Sequence, residues 1–213
     1  ELVSNEIYHI YNRGTDKRNI FIDNSDYYRF LRCLFDFNDT NPTLDSRIKK
    51  DFRSTEVEPP KNKVVDIIAY CLMPNHYHLL LRQINEGGVI QFMRKLGTGY
   101  TMYFNLKNER SGALFQGRYK AKHVDDNIYL QSLINYIHAN PLDLKSENHD
   151  PITTLNLYKW SSWHEYLDKK INNSLTDPVL VEELLGNRNE YINSFNEWLE
   201  MKDADQISHL TMD

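Results

Sequence analysis

The stretch from Val64 to Leu81 constrains this chain more than any other, because it is almost continuously apolar yet broken in the middle by Pro74-Asn75. Proline has no N–H to give a sheet ladder and is confined to strand ends, edges and bulges. The segment therefore reads as two strands of a hairpin, Val64 to Met73 and His76 to Gln83, with Pro74-Asn75 as the turn. The second strand opens with His76 and His78 on either side of Tyr77. Residues two apart on a strand share a face, so the two imidazoles project together and Tyr77 points away. A same-face histidine pair suits a divalent metal, since neutral imidazole is a common ligand. The competing reading is a polar pair on a solvated edge strand. Two histidines facing a core need partners, and a metal supplies one.

Around this hairpin the periodicity alternates between strand and helix. Ile7 to Asn12 is β-branched and aromatic, a strand ending at Gly14. Tyr27, Phe30, Leu31, Leu34 and Phe35 form one helical face within Asp26 to Phe37, with Ser25 as the expected N-cap. Residues 38–63 are polar, contain Pro42, Pro59 and Pro60, and read as an irregular insertion. After Gly87-Gly88, the positions Val89, Phe92, Met93, Leu96, Tyr100, Tyr103 and Phe104 trace an amphipathic helix. Gly97 and Gly99 weaken that helix and are expected to mark the close approach of another backbone. A glycine-punctuated loop, Ser111 to Lys122, leads into a strand near Tyr119 to Val124. Asn127 to Ala139 is helical, with Leu130, Leu133, Ile134 and Ile137 on its core face and Pro141 stopping it. The order implies an α+β fold: an antiparallel sheet with helices mainly on one face, plus a helical C-terminal extension. We divide the chain into a core, 1–142, and an acidic extension, 143–213.

Charge is distributed unevenly. The net charge is −5, but residues 143–213 hold 14 acidic and 6 basic side chains, so the remainder is weakly positive. From Arg94 to His123 there are seven Lys or Arg side chains against one acid, Glu109. Arg110, Arg118, Lys120 and Lys122 could neutralise phosphates while Phe115 and Tyr119 stack on unpaired bases. The plainer reading is a solvated face with two core aromatics. Arg13, Lys17 and Arg18 form a second, weaker basic patch. Cys33 and Cys71 lie in apolar stretches and read as buried thiols in a reducing compartment. We expect no signal peptide, no membrane span and no nucleotide-binding loop.

Tyr136 and Asn140 lie one helical turn apart, immediately before Pro141. A carboxamide oxygen is a hard ligand suited to Mg²⁺ or Mn²⁺. Taken alone, each residue is equally compatible with packing and with helix termination.

Read together, CLMPNHYHLL, LFQGRYKA and LINYIHANPLDL resemble the single-tyrosine HUH transposases, in particular the REP-associated tyrosine transposase branch. The resemblance spans about Ile7 to Leu142 and fades beyond Trp160 to Trp163. It implies a ferredoxin-like HUH core in which His76 and His78 bind the metal, Asn140 is the third ligand and Tyr136 is the nucleophile. Tyr129, Tyr119 and Tyr100 are rivals that lack the Tyr-Ile-x-x-Asn-Pro context. The resemblance further implies a Mg²⁺- or Mn²⁺-dependent endonuclease and strand transferase on hairpin-bearing single-stranded DNA, with a 5′-phosphotyrosine intermediate. It implies a monomer or homodimer in the cytoplasm, associated with the nucleoid. The Gly97-Thr98-Gly99 segment departs from the basic or polar pattern of relatives. Two other functions stay open: a non-catalytic nucleic-acid-binding regulator of the same fold, and a metal-dependent hydrolase in which Tyr136 is structural. The extension either packs on the core or competes with DNA for the basic surface.

Overall fold

The structure, a computed structural model, describes residues 2–40, 60, 62–144, 150–167 and 173–203. Most of the expected insertion at 38–63 and the last ten residues of the extension lie outside them. Four strands, β1 (Ile7–Arg13), β2 (Val65–Met73), β3 (His76–Gln83) and β4 (Lys120–Val124), form one antiparallel sheet in the order β2-β3-β1-β4. Helix α1 (Asn24–Asp36) connects β1 to β2, α2 (Gly88–Lys107) connects β3 to β4, and α3 (Asn127–Ala139) follows β4. This is the ferredoxin-like α+β arrangement expected from the alternating periodicities. Pro74-Asn75 is the tight turn between β2 and β3.

The period-2 alternation sorts the strands' side chains onto two faces. Tyr8, Ile10, Tyr70, Leu72, Tyr77, Leu79 and Leu81 join Phe30, Leu34, Phe92, Leu96 and Tyr100 in a core beneath α1 and α2. The opposite face carries a second core, which the extension builds by packing on the sheet. Ile68, Ala69, Cys71, Met73 and Leu80 there pack with α3 and with residues of four C-terminal helices: α4 (Pro151–Leu157), α5 (Trp163–Leu167), α6 (Pro178–Leu185) and α7 (Arg188–Asp203). The physical reason stands in β2 itself, which is buried at all of its positions. A strand apolar on both sides needs cover on both.

The extension also covers the outer edge of β2. The Leu72 N–H donates to the Trp160 carbonyl at 2.9 Å, and the Ser162 N–H donates to the Tyr70 carbonyl at 2.9 Å. The Trp160 ring stacks on Tyr27, centroids 4.4 Å apart. An edge that would otherwise offer unpaired backbone groups is thereby closed. Helix α3 is tied to this layer through His138, which is fully buried. Its Nδ1 lies 2.6 Å from the Tyr191 hydroxyl and its Nε2 lies 2.7 Å from Ser162 Oγ.

Two local expectations are corrected. Helix α1 starts at Asn24, and its N-cap is Asp23 rather than Ser25, in a reciprocal capping box with Asp26. Lys107 Nζ contacts Asp23 and Asp26 at 2.8 and 2.7 Å, which fixes the end of α2 to the start of α1. The glycines of α2 differ from one another. Gly88 is the one that meets a backbone, that of Val64, whereas Gly99 faces the ring of Phe37 and Gly97 faces open space.

That difference predicts opposite signs for one substitution. Gly97→Ala should raise stability by about 0.5–1 kcal/mol through helix propensity. Gly99→Ala brings a methyl group to 2.7 Å from the buried Phe37 ring, and should lower stability by about 1–3 kcal/mol through overpacking. Urea midpoints of the two variants check this. A second prediction concerns acid. Burial holds the His138 pKa down at about 3. The unfolded chain takes up a proton near pH 6.5 that the folded chain refuses. Stability is therefore complete above pH 6.5 and falls as pH drops towards 3, by about 2 kcal/mol between pH 7 and 5 for this residue. An unfolding free energy unchanged between pH 7 and 5 would contradict that account.

Candidate functional site

The pairing register assembles the site. Tyr11 stands opposite His78, and Arg13 opposite His76, in the β1–β3 pair. On the far side of β1, His9 faces Lys122 and Tyr11 faces Lys120. Directly paired residues share a face. His9, Tyr11, Arg13, His76, His78, Lys120 and Lys122 therefore lie together on the face opposite α1 and α2. Helix α3 crosses the same face and brings Tyr136, whose ring meets that of His78 edge-on at 5.5 Å between centroids. The His76 and His78 rings are 5.2 Å apart and nearly perpendicular.

Asn140 ends α3 and begins a short 3₁₀ turn, Asn140–Asp143. Its amide Nδ2 donates to the Tyr136 carbonyl at 2.8 Å, one turn back. That bond turns its Oδ1 towards the histidines, 3.4 Å from His76 Nε2. His76 Nδ1 is held by Asn75 Oδ1 at 2.6 Å. His78 is fully buried, with Nδ1 2.9 Å from His9 Nε2, while its own Nε2 has no hydrogen-bond partner. A buried polar nitrogen without a partner is uncommon and demands a reason.

The electrostatics keep these rings neutral. Burial, with a smaller contribution from Arg13, lowers the pKa of His76 to about 4 against the opposing pull of Asn140 and Asp143. Burial, with His9, His76 and Arg13, drives that of His78 well below the ordinary value, opposed by the nearby Asn140 carboxamide. Neutral imidazoles offer lone pairs, the form a metal binds. Two histidine nitrogens and a carboxamide oxygen converge here, and one of those nitrogens is orphaned, so the donor set fits a divalent cation. Among the described residues, no three His, Cys, Asp or Glu side chains cluster in a way that could hold a metal. The oxygen beside the pair belongs to an amide, that of Asn140.

The other expected residues divide. Lys120 and Lys122 are exposed on the site's face, with their ammonium groups over the rings of Tyr11 and Tyr129 at 5.7 and 4.6 Å. Arg118 is exposed just before β4. Arg13, expected as a DNA-binding residue of the weaker basic patch, stands beside His76. Arg110 is engaged by the end of α2 and by its own loop, donating to Asn105 Oδ1 at 2.8 Å and to the Ala113 carbonyl at 3.2 Å. Phe115 is a correction: its ring is buried in the α1/α2 core against Tyr77, so it is not presented to a base. Tyr119 is half-buried against that same core, on the far side of the sheet from the histidines. Of the rival tyrosines, Tyr100 is fully buried and donates to the Ile20 carbonyl, and Tyr129 lies under Lys122. His9 was missed, because only the strand register reveals its position beside His78. Cys33 and Cys71 are both buried free thiols, as their apolar context suggested.

No helix among the described residues is long and apolar enough to cross a membrane. No curated protein matches the chain. Among solved structures it is similar to one described as the structure of the REP-associated tyrosine transposase bound to a REP hairpin. The two share 14% identity, with 83% of this chain and 88% of that chain covered, at a TM-score of 0.53. That likeness concerns the fold. The family described as "Transposase IS200 like" matches residues 25–140, more than half of the sequence, a span that contains His76, His78, Tyr136 and Asn140. The chain belongs to the IS200-like transposase family.

Proposed function

We propose that this transposase cuts and rejoins single-stranded DNA at hairpin-bearing ends, with Tyr136 as nucleophile and His76, His78 and Asn140 as ligands of a Mg²⁺ or Mn²⁺ ion. The observation that carries the proposal is the convergence of all four side chains within one chain: the Tyr136 ring lies 5.5 Å from that of His78, and Asn140 Oδ1 lies 3.4 Å from His76 Nε2. Bound there, the cation would polarise a phosphodiester and offset the charge that develops on it.

The protein's own groups do the rest. Helix α3 fixes Tyr136 at the rim of the histidine cluster, so its attack is effectively intramolecular once DNA is seated. The phenolic oxygen forms a bond to phosphorus as the bond from phosphorus to the 3′ oxygen breaks. The phenolic proton is lost to solvent and the departing oxygen gains one. The products are a 5′-phosphotyrosine and a free 3′-hydroxyl. Attack by a 3′-hydroxyl reverses the exchange and releases the phenol, so no nucleotide hydrolysis is needed. A free phenol, with a pKa of about 10, is a weak nucleophile at neutral pH. Arg13 and Lys120, on the same face of the sheet, would neutralise backbone phosphates.

DNA would lie along the row Lys122, Lys120 and Arg13, approached past Arg118. The solved relative's bound REP hairpin supports a hairpin substrate here. A site complete within one chain supports a catalytically sufficient monomer, with a homodimer as the other outcome.

The test is incubation of 3′-labelled single-stranded hairpin DNA with the protein and Mn²⁺, followed by denaturing electrophoresis. A covalent protein–DNA band should form and fall by at least about a thousand-fold in Tyr136→Phe. DNA binding with no adduct in the wild type would assign the protein to the regulators. Cleavage that persists without an adduct in Tyr136→Phe would assign it to the hydrolases.

A further inference from the structure

His9 has no part in the chemistry above, yet it lies within hydrogen-bond distance of His78, the most deeply buried candidate ligand. It lies on β1, with its ring stacked on that of His78 at 5.1 Å and 15° and tilted against Tyr11 at 4.9 Å. It is itself buried, 4% exposed. Its Nε2 is 2.9 Å from His78 Nδ1, so one of these two nitrogens carries the shared hydrogen.

The two assignments are not equivalent. A neutral imidazole has one N–H and one lone pair. With the hydrogen on His78 Nδ1, that N–H is satisfied by His9, and the nitrogen without a partner, Nε2, is a bare lone pair. With the hydrogen on His9 Nε2, His78 must carry its own hydrogen on Nε2, as a buried N–H with no acceptor in good hydrogen-bond geometry, although the Asn140 carboxamide acts on the ring. Orphaned buried N–H groups are rarer than under-used acceptors, and a hydrogen on Nε2 also blocks coordination through it. Metal-binding histidines usually donate their second N–H to an acceptor that fixes tautomer and ring orientation.

We infer that His9 is a positioning residue: it accepts the Nδ1–H of His78 and thereby holds the His78 Nε2 lone pair towards the pocket shared with His76 and Asn140. The inference rests on the metal reading under Proposed function for its purpose. The hydrogen bond itself belongs to the metal-free protein and can be tested there.

Long-range ¹H–¹⁵N NMR of the metal-free protein reads the His78 tautomer directly. The expected spectrum shows hydrogen on Nδ1, retained in His9→Gln, whose carboxamide can still accept, and lost or mixed in His9→Phe. A wild-type spectrum with the hydrogen on Nε2 would overturn the inference without recourse to any variant. Titration calorimetry with Mn²⁺ supplies the second readout. Affinity should fall by about 10–100-fold in His9→Phe and be largely restored in His9→Gln. Wild-type affinity in His9→Phe would show that His9 is mere packing while the metal site stands. Absence of Mn²⁺ binding in the wild type would sink the metal reading instead, leaving the tautomer spectrum to decide the role of His9.

Discussion

The antiparallel register between β1 and β3 is the constraint on which the rest depends. With Tyr11 opposite His78 and Arg13 opposite His76, one face of the sheet collects imidazoles and cations, and the other collects Tyr8, Ile10, Tyr77, Leu79 and Leu81. A slip of one residue would exchange the two sets, burying charge under α1 and α2 and exposing apolar side chains. The buried core beneath α1 and α2 therefore does more than stabilise the sheet. It fixes which side chains remain available for chemistry on the other side.

Helix α3 must then stay on that other side, at a defined depth. Its apolar stripe, Leu130, Leu133, Ile134 and Ile137, packs into a core shared with the C-terminal helices. His138 bonds Tyr191 on α7 and Ser162 beside β2. Tyr136 and Asn140 leave the same helix towards the histidines. In this arrangement the acidic extension acts as a brace: it packs on the sheet and on α3, with Trp160 and Ser162 bonded along the edge of β2. Stability and site geometry are thus carried by the same contacts.

Much of this was legible from residue order. Pro74-Asn75 marked the hairpin, His-x-His marked a shared face, and Pro141 marked the end of α3, because each follows from local stereochemistry. What escaped depends on partners distant in sequence. His9 sits in a short aromatic strand and gains meaning only through its pairing with β3. Phe115 lies in a basic loop that suggests stacking, yet the loop extends the antiparallel β1–β4 pairing, with the Gln116 N–H donating to the Arg13 carbonyl, and the ring turns inward. The second helical layer was foreshadowed by the near-continuous apolarity of β2, interrupted by Asp66. The α1 cap was displaced from Ser25 to Asp23 because Asp26 reaches back to close a capping box.

The site's logic is one of desolvation matched to a donor set. Burial removes protons from His76 and His78 and leaves His78 Nε2 without a partner, a costly arrangement for a purely structural ring. The proposed cation would resolve that cost and would account for the amide oxygen beside it. Anomalous diffraction from crystals soaked in Mn²⁺ tests this most directly. The account predicts one peak within about 2.0–2.3 Å of His76 Nε2, His78 Nε2 and Asn140 Oδ1, with the Tyr136 hydroxyl facing it. Soaked crystals with no peak between these three atoms, or with the ion bound elsewhere, would contradict it.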